Sequence, residues 1–496
     1  MIVEKLHQTV QKFPEKTAIV FNEHQINYGE LNEIINKLSN GFLDSGIAKG
    51  NRVALMLPNV PHFIFSYFAL QQVGAIVVPV NYMFYENDLN FVLNNSELKA
   101  IIYWDGFRKE LKEFFLNCSE SIIKVVLGKQ KPGDSFQLEK LISNSSIGEI
   151  EKENEQGDIA LLQFTSGMED VPTGVPLTHE NISLNNNAFV DCFKLTEDDV
   201  FGAFFPLFLI TSQNQILNAV SLGATIVLHS KIDIPAIAKS IDEFQVSVIT
   251  ASPQFYKLLC DWEDESFSGS SLKTNISSYS NLPEELAKEF AERFNSTLFN
   301  SYTITEAGGI VASTQASFEN LSDSVGRALP IFEMHIHNAS GEPLPHDEIG
   351  EIAIKSNSMM DGYWRNQELT EKRLKNGWFY TGDFGKRNSD GNIVLVEKKA
   401  DIILKGGFRI HTNEIEDLLT THPSIQEAAV ISVPSPDHKE DVLACIVLKE
   451  NESLTGQEVI EFCRSHIPIY KCPQVVKFYE DLPRTRMGKV FKRKLK

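Results

Sequence analysis

Four short stretches of this 496-residue sequence carry side chains able to do chemistry. The run Phe164-Thr165-Ser166-Gly167-Met168-Glu169-Asp170-Val171-Pro172-Thr173-Gly174-Val175 mixes hydroxyls with glycine. In such a run small residues let backbone N–H groups converge on oxygen and hydroxyls add donors, which is how a loop cradles phosphate. Thr305-Glu306 places a hydroxyl beside a carboxylate, and carboxylate oxygens are hard ligands that suit Mg²⁺. Asp383 closes Gly377-Trp378-Phe379-Tyr380-Thr381-Gly382-Asp383, and its two oxygens can accept from two vicinal hydroxyls. Lys489 follows Leu482-Pro483-Arg484-Thr485-Arg486-Met487-Gly488 and supplies a cation of the kind that stabilises charge developing at a reacting centre. Taken singly, each has a plainer reading. A lone Thr-Glu pair is uninformative, an isolated Asp is more often a turn residue, and a Lys near the end of a chain is more often solvated surface.

Such groups need a frame. Leu31, Ile34, Ile35, Leu38 and Phe42 recur on one face of a helix predicted over residues 28–44. Asn27 with Glu30 three residues later forms a capping pair at its start, and Gly46 follows its end. Short apolar runs at Val53–Leu57, Ile76–Val80, Ile101–Tyr103 and Ile122–Leu127 read as strands, with a helix from His62 to Val73 between the first two. Strands at Thr225–Leu228 and Val246–Thr250 and a helix at Pro283–Phe294 continue the alternation. Alternating strands and helices imply a parallel sheet covered on both faces. From about residue 326 the texture changes to half-exposed strands, Met334–His337 and Glu351–Lys355, with Asp390-Gly391 as a hairpin turn before Asn392–Val396. Residues 401–496 read as a separate domain: helix Glu414–Thr420, strands Ala428–Ser432 and Val442–Leu448, then helix Gly456–Ser465.

Composition narrows the class. A chain of 496 residues is too long for one core. The formal net charge of −20 argues against a nucleic-acid partner, which would call for a basic face. The six cysteines form no C-x-x-C pair, which argues against a disulfide framework or a zinc site and suits a reducing cytosol. No basic n-region leads into an apolar stretch at the start, and no run approaches the roughly 18 apolar residues of a membrane span. The expected location is cytoplasmic.

These segments, in their order and over nearly the whole chain, resemble the adenylate-forming superfamily of acyl- and aryl-CoA synthetases, peptide-synthetase adenylation domains and luciferases. The resemblance implies an α/β fold: a large N-terminal body of parallel and mixed sheets covered by helices, a small antiparallel unit, and a small mobile α+β C-terminal domain. The body spans 1–400, with α/β subdomains at 1–160 and 161–325 and the antiparallel unit at 326–400; the lid spans 401–496, hinged at Asp401. By resemblance Thr165, Ser166, Gly167, Tyr302, Asp383 and Lys398 bind nucleotide, with Asp383 on the ribose hydroxyls. Thr305 contacts phosphate and Glu306 holds Mg²⁺. Phe205, Phe208 and Leu209, with Phe204, lie near the acyl group. Gly406 and Gly407 line a pantetheine channel, and Lys489 reaches the carboxylate and α-phosphate. ATP or AMP, Mg²⁺ and CoA or a carrier-protein phosphopantetheine are the implied cofactors and co-substrates. A small carboxylic acid or acyl thioester is the implied substrate, and an acyl carrier protein a further partner.

The sequence departs from the family pattern where nucleotide is held. Met168 and Glu169 stand at two hydroxyl positions, Asp170 at a glycine and Thr173 at the lysine. A carboxylate about 4 Å from one phosphate charge costs about 4 kcal/mol at an effective dielectric near 20, more than a few hydrogen bonds of about 1 kcal/mol each recover. Ser277-Ser278-Tyr279-Ser280-Asn281-Leu282-Pro283 replaces a glycine-rich strand against which adenine lies, so Ser278 and Tyr279 fill that space. The hinge, the Gly-Gly pair and the terminal lysine are kept. The expectation is an acyl-CoA or acyl-carrier ligase acting through acyl-AMP, with a weakened ATP site. The alternatives are a homologue without adenylation that moves an acyl group between CoA and a carrier protein in a polyketide or lipid pathway, or a non-catalytic carrier-protein partner.

Overall fold

The computed structural model describes all residues except 1, 83–85, 108–118, 120, 130–134, 149, 151–153, 166–171, 280–281, 315–323, 339, 398–401, 406–407, 436–438, 451, 484–491, 493–494 and 496. It divides into two compact units, the first comprising Met1–Tyr82, Val92–Thr165 and Thr173–Val396 and the second Met83–Phe91, Ser166–Pro172 and Glu397–Lys496. Among the described residues no helix is long and apolar enough to cross a membrane.

The first unit is a mixed α/β body. In its larger sheet, strands Thr17–Phe21, Thr225–Leu228, Val200–Ala203, Val248–Ala251, Thr274–Ser277 and Leu298–Ile304 lie side by side in that order, all parallel. Their apolar runs are buried on both faces, as a parallel sheet requires. The sheet continues antiparallel through Gly309–Ser313, Ser324–Ala328 and Ile393–Glu397. It ends on Trp378–Arg387, Gly350–Lys355 and Glu333–His337, so the strands after residue 324 extend the sheet of the body. Chain order reverses between Val200–Ala203 and Val248–Ala251: one connection runs outward to Thr225–Leu228, the next returns to the other side. Open α/β sheets bind ligands in the crevice at such a switch point, beyond the carboxyl ends of the strands.

The second sheet orders Phe136–Gln137, Ile123–Leu127, Ala100–Trp104, Arg52–Met56, Ile76–Pro79 and Ile159–Thr165 in parallel, with Thr173–Thr178 antiparallel at its edge. The helix Tyr28–Asp44 starts at a capping box in which the Asn27 N–H donates to Glu30 and the Glu30 N–H donates to Asn27. Such a cap contributes about 1 kcal/mol. Leu31, Ile35, Leu38 and Phe42 are all fully buried on its inner face. The helix Pro61–Gln72 is buried almost throughout, as an apolar helix between layers must be. The expected strand at Val246–Thr250 begins two residues later, at Val248, because the Val246 N–H closes the preceding helix on the Ile241 carbonyl.

In the second unit, Ile425–Ser435 and Lys439–Leu448 pair antiparallel and Val475–Phe478 runs parallel to the latter. The helices Thr412–Thr420 and Gly456–Arg464 join this sheet in one core around Ile415, Leu419, Val430, Val442 and Val459. Lys471 is buried here and donates to both oxygens of Glu414 at 2.7 and 2.8 Å.

Candidate active site

The carboxyl ends of the parallel strands of the large sheet bring several expected residues to one edge. Phe204 and Phe205 follow Val200–Ala203, Ser278 and Tyr279 follow Thr274–Ser277, and Thr305 and Glu306 follow Leu298–Ile304. The Tyr302 hydroxyl donates to Asp383 Oδ2 at 2.5 Å. Asp383 comes from Trp378–Arg387, where its own N–H donates to the Thr381 hydroxyl at 3.1 Å and the neighbouring Gly382 N–H donates to Glu351 at 2.8 Å. Gly382 has φ +75, a left-handed turn that glycine tolerates best.

Glu306 lies in the single 3₁₀ turn Thr305–Ala307, closed by Gly308 at φ +77. It is half-buried, and Tyr363 donates to its Oε1 at 2.6 Å. The segment from Asn357 to Trp364 wraps this turn. The Met360 N–H donates to the Glu306 carbonyl at 2.8 Å, and the Ser358 hydroxyl donates to the carbonyls of Ala307 at 2.8 Å and Asn181 at 3.0 Å. The Asn181 side chain, at the start of the helix His179–Phe193, returns hydrogen bonds to the carbonyls of Asn357 and Met359. The Trp364 N–H donates to the Gly174 carbonyl at 2.8 Å, and a Cβ at Gly174 would lie 2.9 Å from that of Trp364. One segment therefore ties Glu306 to the strand that leaves the Ser/Thr/Gly run. Sequence reasoning missed Tyr363, Ser358 and Trp364, since no spacing links them to residue 306.

Thr165 and Thr173 are register partners across the antiparallel pair Ile159–Thr165 and Thr173–Thr178. Thr173 is buried and uncharged, so this position supplies no cation. Ser166, Gly167, Met168, Glu169, Asp170, Lys398, Asp401, Gly406, Gly407 and Lys489 lie outside the described residues. His179, at the start of its helix, is buried, and burial above all holds its imidazole down at about 4.

On the other side of the edge the expected acyl residues part company. Phe205 is buried against Tyr279, with stacked rings 6.0 Å apart, and meets the Phe255 ring edge-on at 5.7 Å. Phe208 instead packs edge-on against Tyr82 at 5.3 Å, which stacks on Phe107. The Phe208 carbonyl accepts from Gln213 and Gln163, and Leu209 caps the helix Ile210–Leu222 without a side-chain hydrogen bond. Tyr279 has φ +73, a conformation that costs a side-chain-bearing residue roughly 1–2 kcal/mol. Its hydroxyl meets that of Thr211, and burial pushes it up to about 12. Ser278 turns the other way, its hydroxyl 2.9 Å from that of Thr303.

Two family profiles match this chain: AMP-binding enzyme over residues 6–364 and the AMP-binding enzyme C-terminal domain over 414–489. The chain belongs to the AMP-binding enzyme family, among the adenylate-forming enzymes. It is similar to the crotonobetaine/carnitine–CoA ligase of Salmonella heidelberg (strain SL476), at 31% identity covering 98% of this chain and 96% of that protein. It is also similar to the long-chain-fatty-acid–CoA ligase of Bacillus subtilis (strain 168), at 30% identity covering 99% of this chain and 93% of that protein. Its fold matches that of the amide bond synthetase of Marinactinospora thermotolerans with a TM-score of 0.90, at 23% identity covering 100% of this chain and 98% of the other. It also matches o-succinylbenzoate CoA synthetase from Bacillus subtilis with a TM-score of 0.86, at 24% identity covering 99% and 98% of the two chains.

Proposed function

We propose that this chain is an AMP-forming acid–CoA ligase whose hold on the ATP triphosphate is weakened. A substrate carboxylate attacks the α-phosphate of ATP, pyrophosphate leaves, and the thiol of CoA then attacks the acyl carbon of the acyl-AMP and expels AMP. The observation that carries this reading is the pair of carboxylates at one sheet edge, Asp383 held by Tyr302 and Glu306 held by Tyr363. Asp383 takes the ribose hydroxyls, and Thr305 and Glu306 face the phosphates.

Glu306 fits Mg²⁺: it is a single hard carboxylate, half-buried and oriented by a hydroxyl. Among the described residues no group of three or more His, Cys, Asp or Glu side chains could hold a metal, so the donor set suits an ion that arrives with phosphate. Glu306 would hold Mg²⁺ there, and the ion would supply neutralisation of phosphate charge. Lys489, Asp401, Gly406 and Gly407 keep the roles that the resemblance implies.

The weakened triphosphate site rests on Thr173, a buried neutral side chain where the resemblance implies a lysine, and on the acids Glu169 and Asp170. The same residue supports a second reading, in which adenylation is lost and the chain moves acyl groups between CoA and a carrier protein, or serves only as that carrier's partner. Release of AMP and pyrophosphate over a panel of acids, including crotonobetaine, carnitine and fatty acids of graded length, with and without CoA, separates these. Acid-dependent release with CoA consumption establishes the ligase. Silence overturns it; ATP-independent transfer from acyl-CoA to a carrier then establishes the second reading.

A further inference from the structure

We propose that Tyr279 is the specificity-determining floor of the acyl pocket and limits the acid to short chains. This rests on the ligase reading above, taken with the resemblance that implies an acyl group near Phe205.

The inference starts from the order of the strands. Going along the sheet edge from Leu298–Ile304, the next strands are Thr274–Ser277, Val248–Ala251 and Val200–Ala203. Tyr279 follows the first of these, Thr274–Ser277, and Phe205 follows the third, Val200–Ala203. Their rings are nevertheless stacked, 6.0 Å between centroids and 16° between planes. Two strand spacings amount to roughly 10 Å. The Tyr279 side chain therefore reaches across the end of Val248–Ala251, over the crevice where chain order reverses. Its hydroxyl ends on Thr211, in the first turn of the helix Ile210–Leu222. The side chain is thus a strut between the sheet edge and the helix opposite, fixed at both ends.

The backbone makes the same point. Tyr279 holds φ +73, where glycine would be free of strain, while its neighbour Ser278 is turned toward Thr303 and the nucleotide side. A strained residue persists where its surroundings over-determine it, and here those surroundings are Phe205, Thr211 and the crevice between them. The residue is half-buried, and its hydroxyl is desolvated. A wall of one stacked aromatic pair and a hydroxyl contact carries no formal charge, so the group it meets is the apolar end of a carboxylic acid.

The test is binding of two hydrolysis-resistant acyl-adenylate mimics, butanoyl- and octanoyl-sulfamoyladenosine, by calorimetry on the full chain. These lack a pyrophosphate group and so bypass the altered phosphate loop. Wild type is expected to bind the butanoyl compound at least tenfold tighter than the octanoyl one. Tyr279→Gly, which relieves the positive φ, is expected to remove or invert that ratio, and Tyr279→Phe, which keeps the ring, to retain it. Equal affinities in wild type, or an unchanged ratio in Tyr279→Gly with binding intact, overturn the proposal and leave the ligase reading standing. Failure of wild type to bind either compound overturns both.

Discussion

The Tyr363 hydroxyl donates to Glu306 Oε1 at 2.6 Å, joining two residues 57 positions apart in the chain. The backbone of the same segment holds the carbonyl of Glu306 through Met360 and that of Gly174 through Trp364. The Glu306 carboxylate is thereby fixed in direction by one hydroxyl, and its backbone is held by one main-chain hydrogen bond from the same segment.

Tyr363→Phe keeps the ring and deletes that one hydrogen bond. Hydrogen bonds to charged groups are worth about 1.5–3 kcal/mol, so a loss of roughly tenfold or more in kcat/KM is expected. The effect should fall on Mg·ATP, with more Mg²⁺ needed for half-maximal rate, and leave KM for CoA unchanged. Steady-state kinetics at varied Mg²⁺ check it, and an equal effect on both substrates would mean that Tyr363 does not orient Glu306.

On the proposed ligase reading, Thr173→Lys places a cation where the resemblance implies one. At an effective dielectric near 20 a charge pair at about 4 Å is worth about 4 kcal/mol, and burying the lysine stem takes back part of it. ATP affinity is expected to rise at least tenfold while AMP affinity changes little, since AMP lacks the outer phosphates. Titration calorimetry with both nucleotides reads the difference.

Lys471→Met removes the buried ammonium that donates to both oxygens of the half-buried Glu414. Breaking a buried pair in this way costs about 3–5 kcal/mol, and pairing the change with Glu414→Leu should recover most of it. All four tryptophans lie between residues 104 and 378, in the first unit, so tryptophan fluorescence does not follow this loss. Hydrogen exchange of the helix Thr412–Thr420 does.

His179 is held at about 4 in the folded chain by burial, against an ordinary value of 6.5. Above pH 6.5 the group is neutral in both states and contributes nothing to pH dependence. Below it the unfolded chain takes the proton first, so stability falls with pH through the window from 6.5 toward 4. The loss from this group at pH 5 is about 2 kcal/mol. His179→Gln should reduce the shift in urea midpoint between pH 7 and pH 5, and an undiminished shift would place the titration elsewhere.

Local features were legible in the chain itself. The Asn27–Glu30 capping pair, the helix behind it and the strand Thr225–Leu228 depend on neighbours a few residues away, and periodicity and side-chain chemistry announce them. The turn at Asp390-Gly391 is of the same kind, with Gly391 at φ +83 between Trp378–Arg387 and Ile393–Glu397. The order of the motifs carried the family. What periodicity left open was which strand lies beside which: the half-exposed strands after residue 324 look local in sequence, yet their hydrogen bonds complete the sheet of the body.

By itself, then, the amino-acid order determined the local elements, the acidic balance and the family. Only the tertiary structure decided that Tyr363 would orient Glu306, that Tyr302 would hold Asp383, and that Phe205 and Phe208 would face different neighbours. The physical reason is distance along the chain. A cap or a turn is set by torsions and contacts within a few residues, whereas these contacts join elements whose positions follow from sheet order and from which side chains must share a core.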